Sequence, residues 1–232
     1  MASTDTGGKT IILGITGASG AVLAQTALRL LAADSRVARV HLVISDAGYR
    51  LLGEELGIAS RATDLPAQLV KPSGAAGAAG AASAPKIEAP RIDAAKIELM
   101  SNADIGASIA SGSYPADAMC VIPCSMGALS AIASGASTDL LSRAADVSLK
   151  EGRRLVLCVR DTPFSRIHLE NMMRAQQAGA VIMPAIVSFY HQPKTIDDLV
   201  SQYVCRVLAQ IGLPQTKQFT WQGGSAGQAK SA

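Results

Sequence analysis

Short apolar runs alternate with stretches of helical periodicity along most of the chain. Residues 10–15 form the first run. Residues 21–33 behind it repeat apolar side chains at three- and four-residue spacing, which predicts a strand followed by a helix. Residues 40–45 predict a second strand, and a helical pattern follows it to about residue 56. Runs at 119–123, 155–159 and 181–187 predict three more strands. Helical patterns lie between them at 126–133, 138–150 and 165–177, and a last helix is predicted over 196–211. These strands are apolar throughout rather than alternating, so both their faces are expected to be covered. Strands of that kind separated by helices predict an α/β fold: a Rossmann-like, doubly wound, mostly parallel sheet with helices on both faces. Ligands of such sheets bind at the carboxyl ends of the strands, and several of the polar motifs below directly follow a strand.

A chain of 232 residues suits one domain, placed here at residues 10–213. Residues 1–9 are polar, lack the apolar stretch of a signal peptide and predict a disordered N-terminus. Residues 72–85 are Gly, Ala, Ser and Pro with nothing to bury, which predicts a surface insertion, and residues 214–232 predict a C-terminal tail. The hydrophobic fraction of 49% allows a sizeable core, but with only 3% aromatic residues that core must be aliphatic. The net charge of +3 is dispersed, so neither nucleic acid nor an anionic membrane is an expected partner. No apolar run approaches the ~20 residues of a membrane span, and a cytoplasmic enzyme is the expectation. Cys120, Cys124, Cys158 and Cys205 read as buried, reduced thiols, and their spacing matches no metal site.

Four motifs carry candidate chemistry. Gly14-Ile15-Thr16-Gly17-Ala18-Ser19-Gly20 joins the first strand to the first helix. Glycines let the backbone turn tightly and approach a ligand, and the helix start offers unpaired N–H groups to a phosphate or to flavin oxygens. The motif is not G-x-G-x-x-G, and Ser45 rather than an acidic residue ends the second strand, so a dinucleotide is not expected. A tight turn without a ligand explains the same residues. Pro123-Cys124-Ser125-Met126-Gly127 follows the third predicted strand, where Ser125 either caps a helix or also donates to a phosphate. Two such loops side by side point to a mononucleotide.

The third motif is a distributed cationic set: Arg143, Lys150, Arg160 and Arg206. Arg143 and Lys150 are seven apart and share a helix face, while Arg160 directly follows a strand. A solvated helix face is the alternative for Lys150 and Arg206. The fourth is Ser188-Phe189-Tyr190-His191-Gln192-Pro193, whose aromatic pair stands out in a chain so poor in aromatics. It is either a hydrophobic plug or a site wall. His191 is either a general acid or base or a side chain satisfied by a local hydrogen bond. His41 and His168 read as structural.

Together these residues resemble the UbiX-type flavin prenyltransferases. The likeness rests on Thr16-Gly17-Ala18-Ser19-Gly20, Ile109-Ala110-Ser111-Gly112-Ser113, Arg143-Ala144-Ala145-Asp146-Val147 with Lys150-Glu151, Arg160-Asp161-Thr162-Pro163-Phe164, His168-Leu169-Glu170-Asn171-Met172 and Phe189-Tyr190-His191-Gln192-Pro193, in that order. The resemblance implies a Rossmann-like homo-oligomer, commonly a dodecamer, that joins the dimethylallyl group of dimethylallyl phosphate to N5 and C6 of reduced FMN without a metal. The product, prenylated FMN, would serve a UbiD-type decarboxylase. The resemblance assigns Gly17, Ala18, Ser19, Ser45, Ser125, Met126, Gly127, Ala128 and Arg160 to FMN, with Ser19 near flavin N5. It assigns Ser111, Gly112, Lys150, Arg160, Tyr190 and Arg206 to the donor phosphate. Ser19, Glu55, Arg143, Lys150 and Asp161 would be catalytic, with Glu55 handling protons, and Trp221 would reach a neighbouring subunit's site.

The chemistry agrees with that assignment. Breaking an allylic C–O bond builds positive charge on carbon and negative charge on the phosphate. Arg and Lys can meet the second charge, and an electron-rich flavin face the first. No Asp-rich metal motif is present, since Asp197-Asp198 is an isolated pair. One departure is Asp161, where the family usually carries Glu; its shorter arm withdraws a carboxylate from the phosphate region. Two other readings account for part of the pattern. A related flavin-dependent cysteine decarboxylase would need a His after the second strand, where Asp46-Ala47-Gly48 stands. A flavin carrier would leave the Arg, Lys and Tyr set without a task.

Overall fold

The structure, a computed structural model, describes residues 7–58, 64–71, 92–216 and 219–220. Six strands form one sheet: β1 (Lys9–Ile15), β2 (Val37–Ile44), β3 (Ile97–Met100), β4 (Ala118–Cys124), β5 (Arg154–Val159) and β6 (Val181–Ile182). Their order is β3-β2-β1-β4-β5-β6, and every neighbouring pair is parallel. The chain leaves β1 toward β2 on one side and returns to place β4 on the other. The strand order therefore reverses between β1 and β4, which opens a crevice above their carboxyl ends.

Seven helices cover the two faces. α1 (Ala21–Ala33), α2 (Asp46–Leu56), α3 (Leu65–Val70) and α7 (Ile196–Gln210) pack on one, through a core that includes Ile11, Leu13, Leu28, Leu42, Leu52, Leu69 and Val204. α4 (Met126–Ser134), α5 (Leu140–Lys150) and α6 (Arg166–Gln177) pack on the other, around Ile12, Val43, Met119, Leu129, Leu141 and Leu157. Both cores are almost wholly aliphatic, as the scarcity of aromatics requires. The four cysteines are buried free thiols, and Cys120 and Cys158 bring their sulfurs to 3.9 Å.

Helix starts follow the polar residues placed there. Asp139, Ser165 and Thr195 each accept from the third N–H of α5, α6 and α7 in a reciprocal capping box. His168 belongs to one of these boxes, its Nδ1 accepting from Ser165 N. Ser45 and Ser125 cap α2 and α4.

Three elements differ from the expectation. The run at 181–187 is a strand only over Val181–Ile182. Met183 and Ala185 still donate singly to Leu157 and Val159 of β5, while Pro184 between them turns its nitrogen to the open edge of the sheet. β3 and the short helix α3 were not anticipated. β3 has four residues at the sheet edge, with Ile97 buried and Glu98 and Leu99 exposed, too short for a periodic signal. The expected insertion at 72–85 and Trp221 lie outside the described residues. Among the described residues, no helix is long and apolar enough to cross a membrane.

Candidate functional site

The first cluster lies in the crevice at the carboxyl ends of β1, β2, β4 and β5. Thr16, the polar residue that ends the apolar run of β1, ties two of these ends together. Its hydroxyl donates to Pro123 O at 2.8 Å and accepts from Ser125 N at 2.7 Å, and its own N–H donates to Pro123 O at 3.2 Å. The Gly17 turn and the Ser125 loop are thereby held side by side. Gly17 approaches α2 so closely that an added Cβ would collide with Ala47 Cβ, so only glycine fits. Ser45 closes the same wall, its N–H donating to Ile15 O and its hydroxyl accepting from Gly48 N.

On α4, the Ser125 hydroxyl takes only Ala128 N, and the N–H groups of Met126 and Gly127 have no partner among the described residues. A Cβ at Gly127 would meet nothing within 4 Å, so this helix start faces open space. Unpaired N–H groups beside a glycine turn suit the phosphate or the ring oxygens of FMN. A shallow cavity of about 310 Å³ opens beside Ser45, lined by Ile44, Asp46, Tyr49, Met100 and Asn102.

The start of α1 is different because Glu55 fills it. Its carboxylate accepts from Gly20 N at 3.0 Å and from Ala21 N at 2.8 Å. Burial pushes the Glu55 carboxyl up, but hydrogen bonds from the Ser19 hydroxyl and from the Ala21 and Gly20 N–H groups, with the nearby Arg160 charge, outweigh it and hold it below its ordinary value. Glu55 is thus ionised near neutral pH. Arg160 completes the group by donating from Nε to Ser19 O at 3.1 Å. Ser19, Glu55 and Arg160 therefore come together from three separate elements. Asp161 does not join them. Its short carboxylate accepts from the next N–H, that of Thr162, at 2.8 Å.

A second cluster lies at the opposite end of the sheet. α5 runs down to Lys150, and the chain enters β5 only four residues later, so Lys150 sits at the strands' amino ends. There Lys150 Nζ pairs with Glu151 at 2.9 Å, and Arg153 donates to Gly112 O at 2.6 Å. One helical face higher, Arg143 donates to Ala110 O at 3.2 Å and pairs with Asp146 at 2.7 Å. Ser111 and Gly112 are gathered here with Lys150 and Arg143, as the resemblance implies. The length of β5 separates this cluster from Arg160 by roughly 17 Å at ~3.3 Å per residue.

Tyr190 and Arg206 occupy a third place, the α1–α7 face. Tyr190 is half exposed and packs on Phe219, with ring centres 5.5 Å apart, while Phe189 is 67% exposed. The aromatic pair is therefore no plug. Both ring nitrogens of His191 are buried and find no hydrogen-bond partner among the described residues, so the local hydrogen bond considered for it is not seen there. The larger described cavity, about 830 Å³, lies on this face between Leu30, His191, Pro193, Cys205 and Phe219, away from the glycine turn. Among the described residues no group of three or more His, Cys, Asp or Glu side chains is placed to hold a metal ion.

Three residues with clear roles had not been singled out. Arg153 holds the Gly112 carbonyl. Asn102 holds the start of α5, its side chain accepting from Leu141 N and donating to Asp139. Tyr114 bonds His41 Nε2 at 2.6 Å and so ties the 111–114 loop to β2. Their only sequence signal is polarity next to a glycine or at a strand end.

The model of the Flavoprotein family matches residues 1–208. The flavin prenyltransferase UbiX of Pseudomonas aeruginosa is 41% identical over 217 residues, covering 93% of this chain and 95% of its own. A dodecameric FMN-dependent UbiX-like decarboxylase from Escherichia coli O157:H7 superposes with a TM-score of 0.75 at 36% identity, covering 92% of this chain and all of its own. AnUbiX (PadA1), solved in complex with FMN and dimethylallyl pyrophosphate, superposes with a TM-score of 0.74 at 35% identity over 94% of this chain and 99% of its own.

Proposed function

The chain belongs to the Flavoprotein family and, within it, to the UbiX-type flavin prenyltransferases, and we propose that it joins a dimethylallyl group to N5 and C6 of reduced FMN. The observation that carries this reading is the convergence of Gly17, Ala18, Ser19, Ser45, Ser125 and Arg160 on the crevice where the strand order reverses. FMN is the acceptor substrate there. The glycine turn lets it approach the backbone, and the free N–H groups of Met126 and Gly127 match its anionic and carbonyl oxygens. Ser19 stands beside the ionised Glu55, so its hydroxyl proton is already directed at a carboxylate. The pair is suited to accept and pass on a proton next to the flavin.

The donor is dimethylallyl phosphate. Its leaving phosphate is met by Lys150, Arg143, Ser111 and Gly112, and the cations stabilise the charge that develops as the C–O bond breaks. The donor is far shorter than the roughly 17 Å between Arg160 and Lys150 in one subunit. The acceptor crevice of one copy is therefore completed by the Lys150 cluster of another, and Tyr190 and Arg206 enter from their own face in the same way. This division makes the homo-oligomer a requirement of the chemistry, and a dodecamer supplies such junctions. The product is consumed by a UbiD-type decarboxylase.

Anaerobic incubation of the protein with reduced FMN and dimethylallyl phosphate, followed by mass spectrometry of the released flavin, tests the reading. A flavin heavier by one C5H8 unit is expected. An unchanged flavin would sink the proposal and would favour direct action on a carboxylate. Running the pyrophosphate ester in parallel assigns the donor.

A further inference from the structure

We propose that Arg153 is a positioning residue for the donor phosphate. The inference rests on the reading that the Ser111–Gly112 loop holds that phosphate. It concerns how the loop is made fit to do so.

Three successive carbonyl groups of the loop are paired. Ala110 O accepts from Arg143 Nε at 3.2 Å, Ser111 O from Tyr114 N at 3.2 Å, and Gly112 O from Arg153 Nη2 at 2.6 Å. The opposite face presents donors. Gly112 N–H has no partner among the described residues, and the Ser111 and Ser113 hydroxyls bond each other at 2.9 Å. Lys150 stands directly over this face. A Cβ built at Gly112 would come within 3.0 Å of Lys150 Nζ and would collide with the Glu151 carboxylate. A carboxylate thus already lies against the Gly112 backbone and the Lys150 ammonium, which marks the place as one where an anion is favoured.

Position 112 carries no Cβ, and glycine leaves the peptide free to rotate. Rotation of the Gly112–Ser113 peptide would turn its carbonyl dipole toward the phosphate. The Arg153 guanidinium prevents it by holding the Gly112 carbonyl on the far side. It also adds a half-buried positive charge just behind the loop. Arg143 performs the same task two residues earlier, so the loop is held at alternate carbonyls by two planar cations. Tyr114, bonded to His41 Nε2 at 2.6 Å, fixes the loop's far end to β2. A single point charge such as Lys would hold the carbonyl with less directional control.

Steady-state kinetics on the full-length protein at saturating reduced FMN tests the role. Arg153→Met is expected to raise the KM for dimethylallyl phosphate by about tenfold, the effect of losing one charge-assisted hydrogen bond. The inhibition constant of inorganic phosphate should rise by the same factor. kcat and the Kd for FMN should stay close to wild type, because Arg153 touches neither the flavin nor the breaking C–O bond and Lys150 and Arg143 keep their places. Arg153→Lys should restore part of the loss. If the Met variant does not fold, Arg153→Gln replaces it with the same expectation. Unchanged donor KM and phosphate inhibition would overturn the inference. So would a loss of FMN affinity and of melting temperature in step with the KM, since that marks a merely structural role. Lys150→Ala separates the two levels. If it too leaves phosphate inhibition unchanged, the reading of the loop as a phosphate site fails. If it weakens inhibition and Arg153→Met does not, only the role of Arg153 falls.

Discussion

A carboxylate facing the first N–H groups of a helix is stabilised in its ionised form. Glu55 is such a group, and the Ser19 hydroxyl that donates to it lies beside the proposed flavin position. Because its folded-state pKa lies below the ordinary value of 4.5, its contribution to stability is complete above that pH. The contribution is lost as the pH falls through the lowered value. Calorimetry across pH checks this. The difference in melting temperature between the wild type and Glu55→Gln should be constant above pH 4.5 and shrink below it. A difference that is the same at every pH would mean that the charge contributes nothing. The variant should also lose turnover, since an amide cannot take the Ser19 proton. Asp161 illustrates the opposite outcome of a short arm. Its carboxylate accepts from Thr162 N instead of joining the Ser19–Glu55 pair.

At the scale of elements, the crevice depends on two strand ends being locked together. The Thr16 hydroxyl spans the end of β1 and the Ser125 loop with a donated and an accepted bond, and it is 2% exposed. Thr16→Val keeps the shape and removes both hydroxyl bonds, leaving Ser125 N without its partner while Pro123 O keeps only the backbone N–H of residue 16. Such loss costs about 1–3 kcal/mol. Chemical denaturation should show that loss of stability, and FMN titration should show weaker binding, because the Ser125 loop is no longer held against the Gly17 turn. Full FMN affinity in a destabilised variant would place the flavin elsewhere. The helices were legible in the sequence because their caps and their periodicity agree, as in α4 behind Ser125 and α6 behind Ser165. β3 was not, because four residues at a sheet edge carry no period, and β6 was overrun because the apolar run of 181–187 continues past the two residues that pair as a strand.

At the scale of the molecule, the motifs were legible but their separation was not. Arg143 and Lys150 read as one face of one helix, and that holds. Spacing along a chain does not tell which end of a parallel sheet a helix terminus reaches, and α5 delivers Lys150 to the end opposite the Gly17 and Ser125 loops. Nothing in the sequence singles out Arg153, because its partner, Gly112, lies 41 residues away. In one subunit the Arg160 crevice, the Lys150 cluster and the Tyr190 face point to three places, so the account requires copies to share each site. Co-expression of two inactive variants tests this most directly. Arg160→Met disables the acceptor crevice and Lys150→Ala the donor cluster, and each alone should leave the flavin unalkylated. Mixed oligomers bring an intact crevice from one copy against an intact cluster from another, and the account predicts that they restore formation of the flavin heavier by one C5H8 unit. A mixture no more active than the two variants assayed separately would contradict it.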